Sequence, residues 1–281
     1  MSLFAKLFRR MRRSPFGTGR RKVPILGVEA SGKSSLILTL GQYISLNEMG
    51  RVSMNSNNLF GHYLSFVAKG EPLPATTRRE AFELHIARIP EESGGYRDVD
   101  LVLSSEDIAG LDFRVLVDEL RSNPNLNASG KNRGAQVLRQ FTDLLSACDG
   151  FIFLVDLVRD TDLEEIRSGS REFIWDAFAD QIQPIMTGIL LATKMNAQMA
   201  MKPIFFVFTK PDLHGLPPGE VREHFERGMA IALAQLRGEL MNVRQYNVQC
   251  AGWNMDSALE GLGIDRLLAD LVHALDAVED A

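Results

Sequence analysis

Short apolar runs that alternate with longer amphipathic stretches are the feature that most constrains how this chain can fold. Six runs rich in Val, Ile, Leu and Phe occupy residues 23–28, 82–89, 99–107, 151–156, 203–209 and 246–250. Stretches with helical periodicity occupy residues 33–47, 134–147, 171–198, 219–240 and 264–278. Apolar strands followed by amphipathic helices form βα units in which helices cover both faces of the sheet. The sequence therefore predicts a three-layer α/β fold with about six mostly parallel strands.

Composition favours a large folded domain in a reducing compartment. The chain has 281 residues, 45% of them hydrophobic, which is enough for a sizeable core over residues 23–281. Cys148 and Cys250 are its only cysteines. They are too few for a disulfide framework and show no metal-ligand spacing, so we expect a cytoplasmic protein. No apolar run is long enough to span a bilayer, which predicts a soluble or peripheral protein.

The basic residues are concentrated at the N-terminus. Residues 1–22 contain eight Lys and Arg and no Asp or Glu, which leaves 23 basic residues against 36 acidic ones in the rest of the chain. This acidic remainder argues against broad nucleic-acid binding. Within residues 1–13, one helical face is apolar and the other carries Lys6 and four arginines. Such a helix can lie on an anionic membrane at the inner face; a partner-docking helix, a disordered arm and a presequence remain alternatives.

The strongest motif is "GVEASGKSS" at residues 27–35, between the first strand and the first helix. Gly27, Gly32, Lys33 and Ser34 match the phosphate-binding pattern G-x-x-x-x-G-K-[ST]. The glycines let main-chain amides face phosphate oxygens, Lys33 neutralises the terminal phosphates, and the Ser34 hydroxyl binds Mg²⁺. The predicted nucleotide contacts here are Gly27, Glu29, Ala30, Ser31, Gly32, Lys33, Ser34 and Ser35.

Two further elements follow in the order that nucleotide chemistry requires. Asp107, just after the strand residues 99–105, begins "DIAG" and is the predicted second Mg²⁺ ligand, while the amide of Gly110 can reach the terminal phosphate. "TKPD" places Thr209, Lys210 and Asp212 after another apolar strand. A carboxylate at Asp212 can accept hydrogen bonds from guanine N1 and N2, a donor pair that adenine lacks, and the Lys210 stem can lie along the ring.

With these motifs in this order, the chain resembles a P-loop GTPase of the Ras-like, translation-factor-related superclass over residues 23–278. The resemblance implies GTP and GDP as ligands and Mg²⁺ as cofactor. It also implies that Cys250, Ala251 and Gly252 place their main chain near guanine O6. A switch threonine that closes on Mg²⁺ and the γ-phosphate is implied at Thr76 or Thr77 in "PATTRRE", and we prefer Thr77.

The sequence departs from this family where water is activated. Many members place a glutamine directly after Asp-x-x-Gly, whereas here Leu111 stands there and cannot hydrogen-bond to water. Slow intrinsic hydrolysis of GTP is therefore expected, with Lys33, Thr77, Gly110 and Glu29 as the predicted catalytic set. The Glu29 carboxylate would oppose the γ-phosphate charge unless it faces away or orients water.

Two hypotheses on function follow. In the first, the chain is a regulatory GTPase whose long loops, residues 50–77 and 109–133, are ordered by GTP and contacted by effectors or an activating partner. In the second, it is a nucleotide-locked scaffold without turnover, which Leu111 favours. A mechanical, dynamin-like GTPase is a weaker third hypothesis because no long helical stalk is evident.

Overall fold

The structure is a computed structural model that describes residues 20–28, 31–53, 61–62, 65–66, 69, 82–91, 94–105, 110–123, 129–158, 163–170, 172–196, 199, 202–236, 243–247 and 263–279. These residues form one seven-stranded sheet. Its strands are β1 (Arg21–Gly27), β2 (Gly50–Val52), β3 (Phe82–Pro90), β4 (Tyr96–Ser105), β5 (Phe151–Asp156), β6 (Ile204–Thr209) and β7 (Val243–Asn247).

The strand order is β2-β3-β4-β1-β5-β6-β7. β1 pairs in parallel with both β4 and β5, and β5, β6 and β7 continue in parallel. Only β3 runs in the opposite direction, and it pairs antiparallel with both β2 and β4. All six predicted strands are confirmed, and β2 is a three-residue addition at the edge. β7 begins three residues earlier than predicted, and β1 begins two residues earlier, at Arg21.

The helices that the structure describes follow the strands. They are α1 (Lys33–Leu46), α2 (Gly110–Ser122), α3 (Arg133–Ala147), α4 (Leu163–Arg167), α5 (Glu172–Ala177), α6 (Gln183–Met195), α7 (Pro211–His214), α8 (Pro218–Leu236) and α9 (Ile264–Glu279). A π-helical turn, Phe178–Ile182, joins α5 to α6 without a break. Among these helices, none combines the length and the apolar character needed to cross a bilayer.

Alternating side chains of the central strands supply two cores, one on each face of the sheet. Phe151, Phe153 and Val155 of β5 pack with α2, α3, α6 and α8 on one face. Ile152 and Leu154 point to the other face, where α1 and α9 cover the sheet. This period-two alternation on a sheet buried on both faces explains why β5 and β6 read as unbroken apolar runs. The predicted three-layer α/β fold is confirmed.

One structural expectation was wrong. The connection 109–133 was predicted as a long loop, but its first half is the helix α2, in which Leu116, Val117 and Leu120 are buried. The spacing of these residues is that of a helical apolar face, which the polar residues after Ser122 obscured. Residues 50–77 likewise begin with the strand β2, which pairs with β3. The division of the chain into a tail, residues 1–22, and one GTPase domain, residues 23–281, stays a prediction.

Candidate functional site

The phosphate loop leaves the sheet where β1 ends, in the middle of the strand order. The last β1 pair joins Gly27 to Leu154 of β5. The Ser31 amide then donates to Val28 O at 3.2 Å, which closes a turn. Gly32 adopts φ +88°, a left-handed conformation that glycine tolerates without strain, and α1 begins at Lys33. The loop is thus directed into the N-terminus of a 14-residue helix at the carboxyl edge of a parallel sheet, a common position for ligand sites.

Close packing explains why Gly27 carries no side chain. A Cβ at this position would lie 2.5 Å from Ser31 Oγ and 3.1 Å from Leu154 O. The first contact is shorter than real Cβ atoms make, so the loop could fold back over β1 only with glycine here. Gly27 therefore fixes how tightly the loop turns.

The loop lysine lies across this turn. Lys33 Nζ donates a hydrogen bond to Gly27 O at 2.6 Å, so the ammonium group is held at the mouth of the loop while the side chain is half-buried. The N-cap of α1 is Gly32, which has no side chain to cap the first helical amides. The positive end of the helix dipole and the Lys33 charge thus act on the same place, an arrangement that attracts anions.

A buried hydroxyl inside the loop fits a polar ligand. Ser31 is 1% exposed, and its Oγ has no hydrogen-bond partner among the described residues. Leaving a buried hydroxyl unpaired costs about 1–3 kcal/mol. An oxygen-rich ligand at the loop would satisfy Ser31 Oγ, so the residues present fit the phosphate groups that the motif predicts.

Thr209 connects the phosphate loop to the predicted base-reading motif. This residue ends β6 and is 4% exposed. Its hydroxyl donates to Ser31 O at 3.0 Å, with Val155 O at 3.4 Å beside it. Residues 178 positions apart in the sequence are thereby joined by one buried hydrogen bond. Thr209, predicted as a nucleotide contact, thus braces the loop through its side chain.

Lys210 follows in an unusual backbone conformation. Its φ is +58°, which is uncommon for a residue with a side chain. Its carbonyl accepts from the Leu213 amide at 3.0 Å and starts the short helix α7, which contains Asp212. Its ammonium group forms an ion pair with the carboxylate of Asp156, the last residue of β5, which is fully buried. Lys210 is thus anchored at its head, while a third of its side chain remains exposed.

Asp156 was missed by the sequence analysis. A carboxylate that ends an apolar strand is the signal that singled out Asp107, and the same signal is present at Asp156. Val158 N donates to Asp156 Oδ1 at 3.1 Å. The main chain of Asp156 is bound by the amide of Gln181, which sequence reasoning could not find because it lies 25 residues away.

The structure brings part of the predicted site together. Gly27, Gly32, Lys33, Thr209 and Lys210 lie at one edge of the sheet, with Ser31, Ser34 and Ser35 on the same loop and helix start. Gly110 is the first residue of α2, and Asp212 lies in α7 by its main chain. The remaining predicted residues lie outside the described residues: Glu29, Ala30, Thr76, Thr77, Asp107, Cys250, Ala251 and Gly252. Of the predicted Mg²⁺ ligands, the structure therefore describes Ser34.

Comparison with known proteins gives similarity in solved structures only. No family model and no curated protein matches the chain. Nucleolar GTP-binding protein 1 from Plasmodium falciparum is similar over 93% of this chain and 89% of its own, with 10% identity and a TM-score of 0.41. The signal recognition particle receptor SRb-GTP/SRX complex from Chaetomium thermophilum is similar over 84% and 93%, with 14% identity and a TM-score of 0.41. Toc33 from Arabidopsis thaliana is similar over 97% and 88%, with 14% identity and a TM-score of 0.38. The strand order and the phosphate loop by themselves show the three-layer α/β fold.

Proposed function

We propose that this chain binds guanine nucleotides and hydrolyses GTP slowly, as a regulatory GTPase. The observation that carries the proposal is the buried hydrogen bond from Thr209 to Ser31 O, which joins the phosphate loop to the TKPD motif. The motif predicted to bind the phosphates and the motif predicted to bind the base are thereby held against each other at one edge of the sheet.

The phosphate end consists of the loop and the start of α1. Lys33 and the first amides of α1 neutralise and bind the phosphate oxygens, and Ser31 Oγ gains the partner that it lacks among the described residues. Mg²⁺, which supplies charge neutralisation between the phosphates when bound, would be held by Ser34 together with Asp107 and Thr77.

The base end consists of the residues after β6. Asp212 accepts hydrogen bonds from N1 and N2 of guanine, and the methylene stem of Lys210 lies along the ring. The main chain of residues 250–252, which lie outside the described residues, would contact O6, as the resemblance to P-loop GTPases implies. Adenine presents an acceptor at N1 and no amino group at C2, so the Asp212 carboxylate would repel it.

Hydrolysis is slow in this proposal because of Leu111. This residue directly follows Gly110 at the start of α2 and offers no hydrogen bond to an attacking water. Glu29, Asp112 or a residue from an activating partner would orient the water, and the Gly110 amide would bind the γ-phosphate. The second candidate function, a nucleotide-locked scaffold, is favoured by the same leucine.

Nucleotide titration tests the binding proposal. Protein stripped of nucleotide is titrated with GDP, GTP, ADP and ATP in the presence of Mg²⁺. Lys33→Ala should abolish binding, whereas Lys194→Ala, an exposed lysine at the end of α6, should not change it. Asp212→Asn should lose guanine affinity and gain affinity for xanthosine diphosphate, whose C2 carbonyl can accept from the new amide. Equal affinity of the wild type for guanine and adenine nucleotides contradicts the proposal.

Phosphate release under single-turnover conditions separates the two candidates. The assay is run with the protein alone, with anionic vesicles and with cell extract, and Lys33→Ala in the same extract measures background hydrolysis. Release above that background in any arm excludes the inert scaffold. Binding of GTP without release in every arm excludes the regulatory GTPase.

The N-terminal tail would place this GTPase on an anionic membrane. Residues 1–13 lie outside the described residues, so the proposal rests on the apolar face opposite Lys6 and the four arginines. Because β1 begins at Arg21, the variant to test lacks residues 2–19. It should fail to sediment with anionic liposomes that the full chain binds. Equal sedimentation of both proteins would end the membrane proposal and leave a partner-docking helix, a disordered arm or a presequence for the tail.

A further inference from the structure

The π-helical turn between α5 and α6 carries a buried polar side chain with an unusual partner. In this turn, Gln183 N donates to Phe178 O, five residues earlier, and not to the carbonyl four residues earlier as in an α-helix. Pro184 follows as the second residue of α6 and has no amide hydrogen to donate. Phe178 and Ile182 are buried in the core, and Gln181 is buried between them in sequence. π-helical turns are rare in proteins, and those that occur are often at functional sites.

Gln181 binds the main chain of β5 as a neighbouring strand would. Its Nε2 donates to Asp156 O at 2.8 Å, and its Oε1 accepts from Asp156 N at 3.2 Å. The paired register of β1 with β5 ends at Gly27 and Leu154, two residues before Asp156. At this level β1 has turned away into the phosphate loop. The Gln181 amide therefore supplies the donor and the acceptor that a strand would have supplied.

Asp156, whose main chain this contact fixes, holds the lysine of the TKPD motif through its carboxylate. Asp156 is fully buried, and Lys210 forms an ion pair with it. The strained φ of +58° at Lys210 sets the direction in which the chain enters α7 and so the position of Asp212. A residue in such a conformation persists only when its surroundings hold it there. The chain of contacts runs from Gln181 through Asp156 to Lys210.

We propose that Gln181 is a positioning residue for base recognition: it fixes Asp156, whose carboxylate anchors Lys210 and thereby the placement of Asp212 against the purine. This inference rests on the proposed guanine-nucleotide function and adds a specificity determinant outside the nucleotide motifs. With the Lys210 head held by Asp156, the methylene stem stays available for the ring, and the main chain that enters α7 at Asp212 keeps its direction. Gln181 itself does not touch the nucleotide.

The test compares two glutamine-to-methionine variants that differ in position only. Gln181→Met keeps the length of the side chain and removes both hydrogen bonds. Gln183→Met makes the same change on the exposed side of the helix, two residues away, and serves as the control. Affinities for GDP and ADP with Mg²⁺ are measured for each. We expect the guanine-over-adenine ratio to fall about tenfold in Gln181→Met, which corresponds to about 1.4 kcal/mol, and to stay unchanged in Gln183→Met.

A double-mutant cycle with Lys210→Met separates positioning from general stability. If Gln181 acts through Lys210, adding Gln181→Met to Lys210→Met leaves the ratio as it is in Lys210→Met alone. A lower melting temperature of Gln181→Met with the wild-type ratio means a structural role only and overturns the inference, as does full additivity in the cycle. If Gln181→Met does not fold, Gln181→Glu replaces it. When its carboxyl group is ionised, that variant keeps the volume and the acceptor for Asp156 N and loses the donor to Asp156 O, so the same fall in the ratio is expected at a pH at which the group is ionised.

Failure of the inference is distinguishable from failure of the proposed function. A wild-type chain without preference for guanine removes the proposed function. A wild-type chain that prefers guanine, together with a Gln181→Met variant that keeps the preference, removes the positioning role of Gln181 alone.

Discussion

Replacing Thr209 by valine tests the contact on which the candidate site depends. Valine has nearly the shape of threonine, so the change creates no cavity and removes only the hydroxyl. The lost hydrogen bond of 3.0 Å leaves the carbonyl of the buried Ser31 without this partner. A buried acceptor that loses its donor costs about 1–3 kcal/mol, so we expect the free energy of unfolding to fall by about 2 kcal/mol, or about 30-fold in the folding equilibrium constant.

Equilibrium unfolding in urea measures this loss, and Thr209→Ser is the matched control. Serine keeps the hydroxyl and removes a buried methyl group, for which about 0.8 kcal/mol is expected. The valine variant should therefore be the less stable of the two, and it should bind GDP more weakly because the phosphate loop has lost its brace. A serine variant less stable than the valine variant would refute the reasoning, since it would show that packing of the methyl group, and not the hydrogen bond, holds the loop.

Three further predictions concern other contacts. Gly27→Ala places a Cβ 2.5 Å from Ser31 Oγ and should lower the free energy of unfolding in urea by about 1–3 kcal/mol. Adding Ser31→Ala removes that oxygen and should restore part of the lost stability. Equal stability of the Gly27→Ala variant and the double variant would contradict the clash. Asp276→Asn weakens the ion pairs with Arg21 (2.8 Å) and Arg97, which tie α9 to the sheet. The free energy of unfolding should therefore fall by about 2 kcal/mol, and an unchanged urea midpoint would contradict this role of Asp276. Burial lowers the pKa of Lys202, so between its folded pKa and 10.5 the unfolded chain binds more protons and the free energy of unfolding rises with pH. Lys202→Met should remove that rise in unfolding experiments at a series of pH values. An unchanged dependence of the free energy of unfolding on pH would contradict this role of Lys202.

The local patterns of the sequence sufficed for the fold class and for the start of the site. Strands such as β5 and helices such as α1 have periodicity and bounds that short-range preferences dictate, and both were predicted within a residue or two. Gly27 and Gly32 were identified because the phosphate pattern requires glycine, and the structure shows a close approach at the first and a left-handed φ at the second. Helix α2 was missed because its apolar spacing lies beside a polar stretch that argued for a loop.

What only the tertiary structure decided is how distant residues meet at the sheet edge. The strand order places β1 next to β5 and β5 next to β6, so the ends of three strands far apart in the chain become neighbours. That adjacency turned Thr209 from a predicted base contact into a brace for the phosphate loop, and it revealed Asp156 and Gln181 as the support of Lys210. Sequence periodicity reports which face of an element is buried, because burial repeats every two or 3.6 residues. It carries no information on which buried polar group will find which partner, because that depends on the order in which the strands lie side by side.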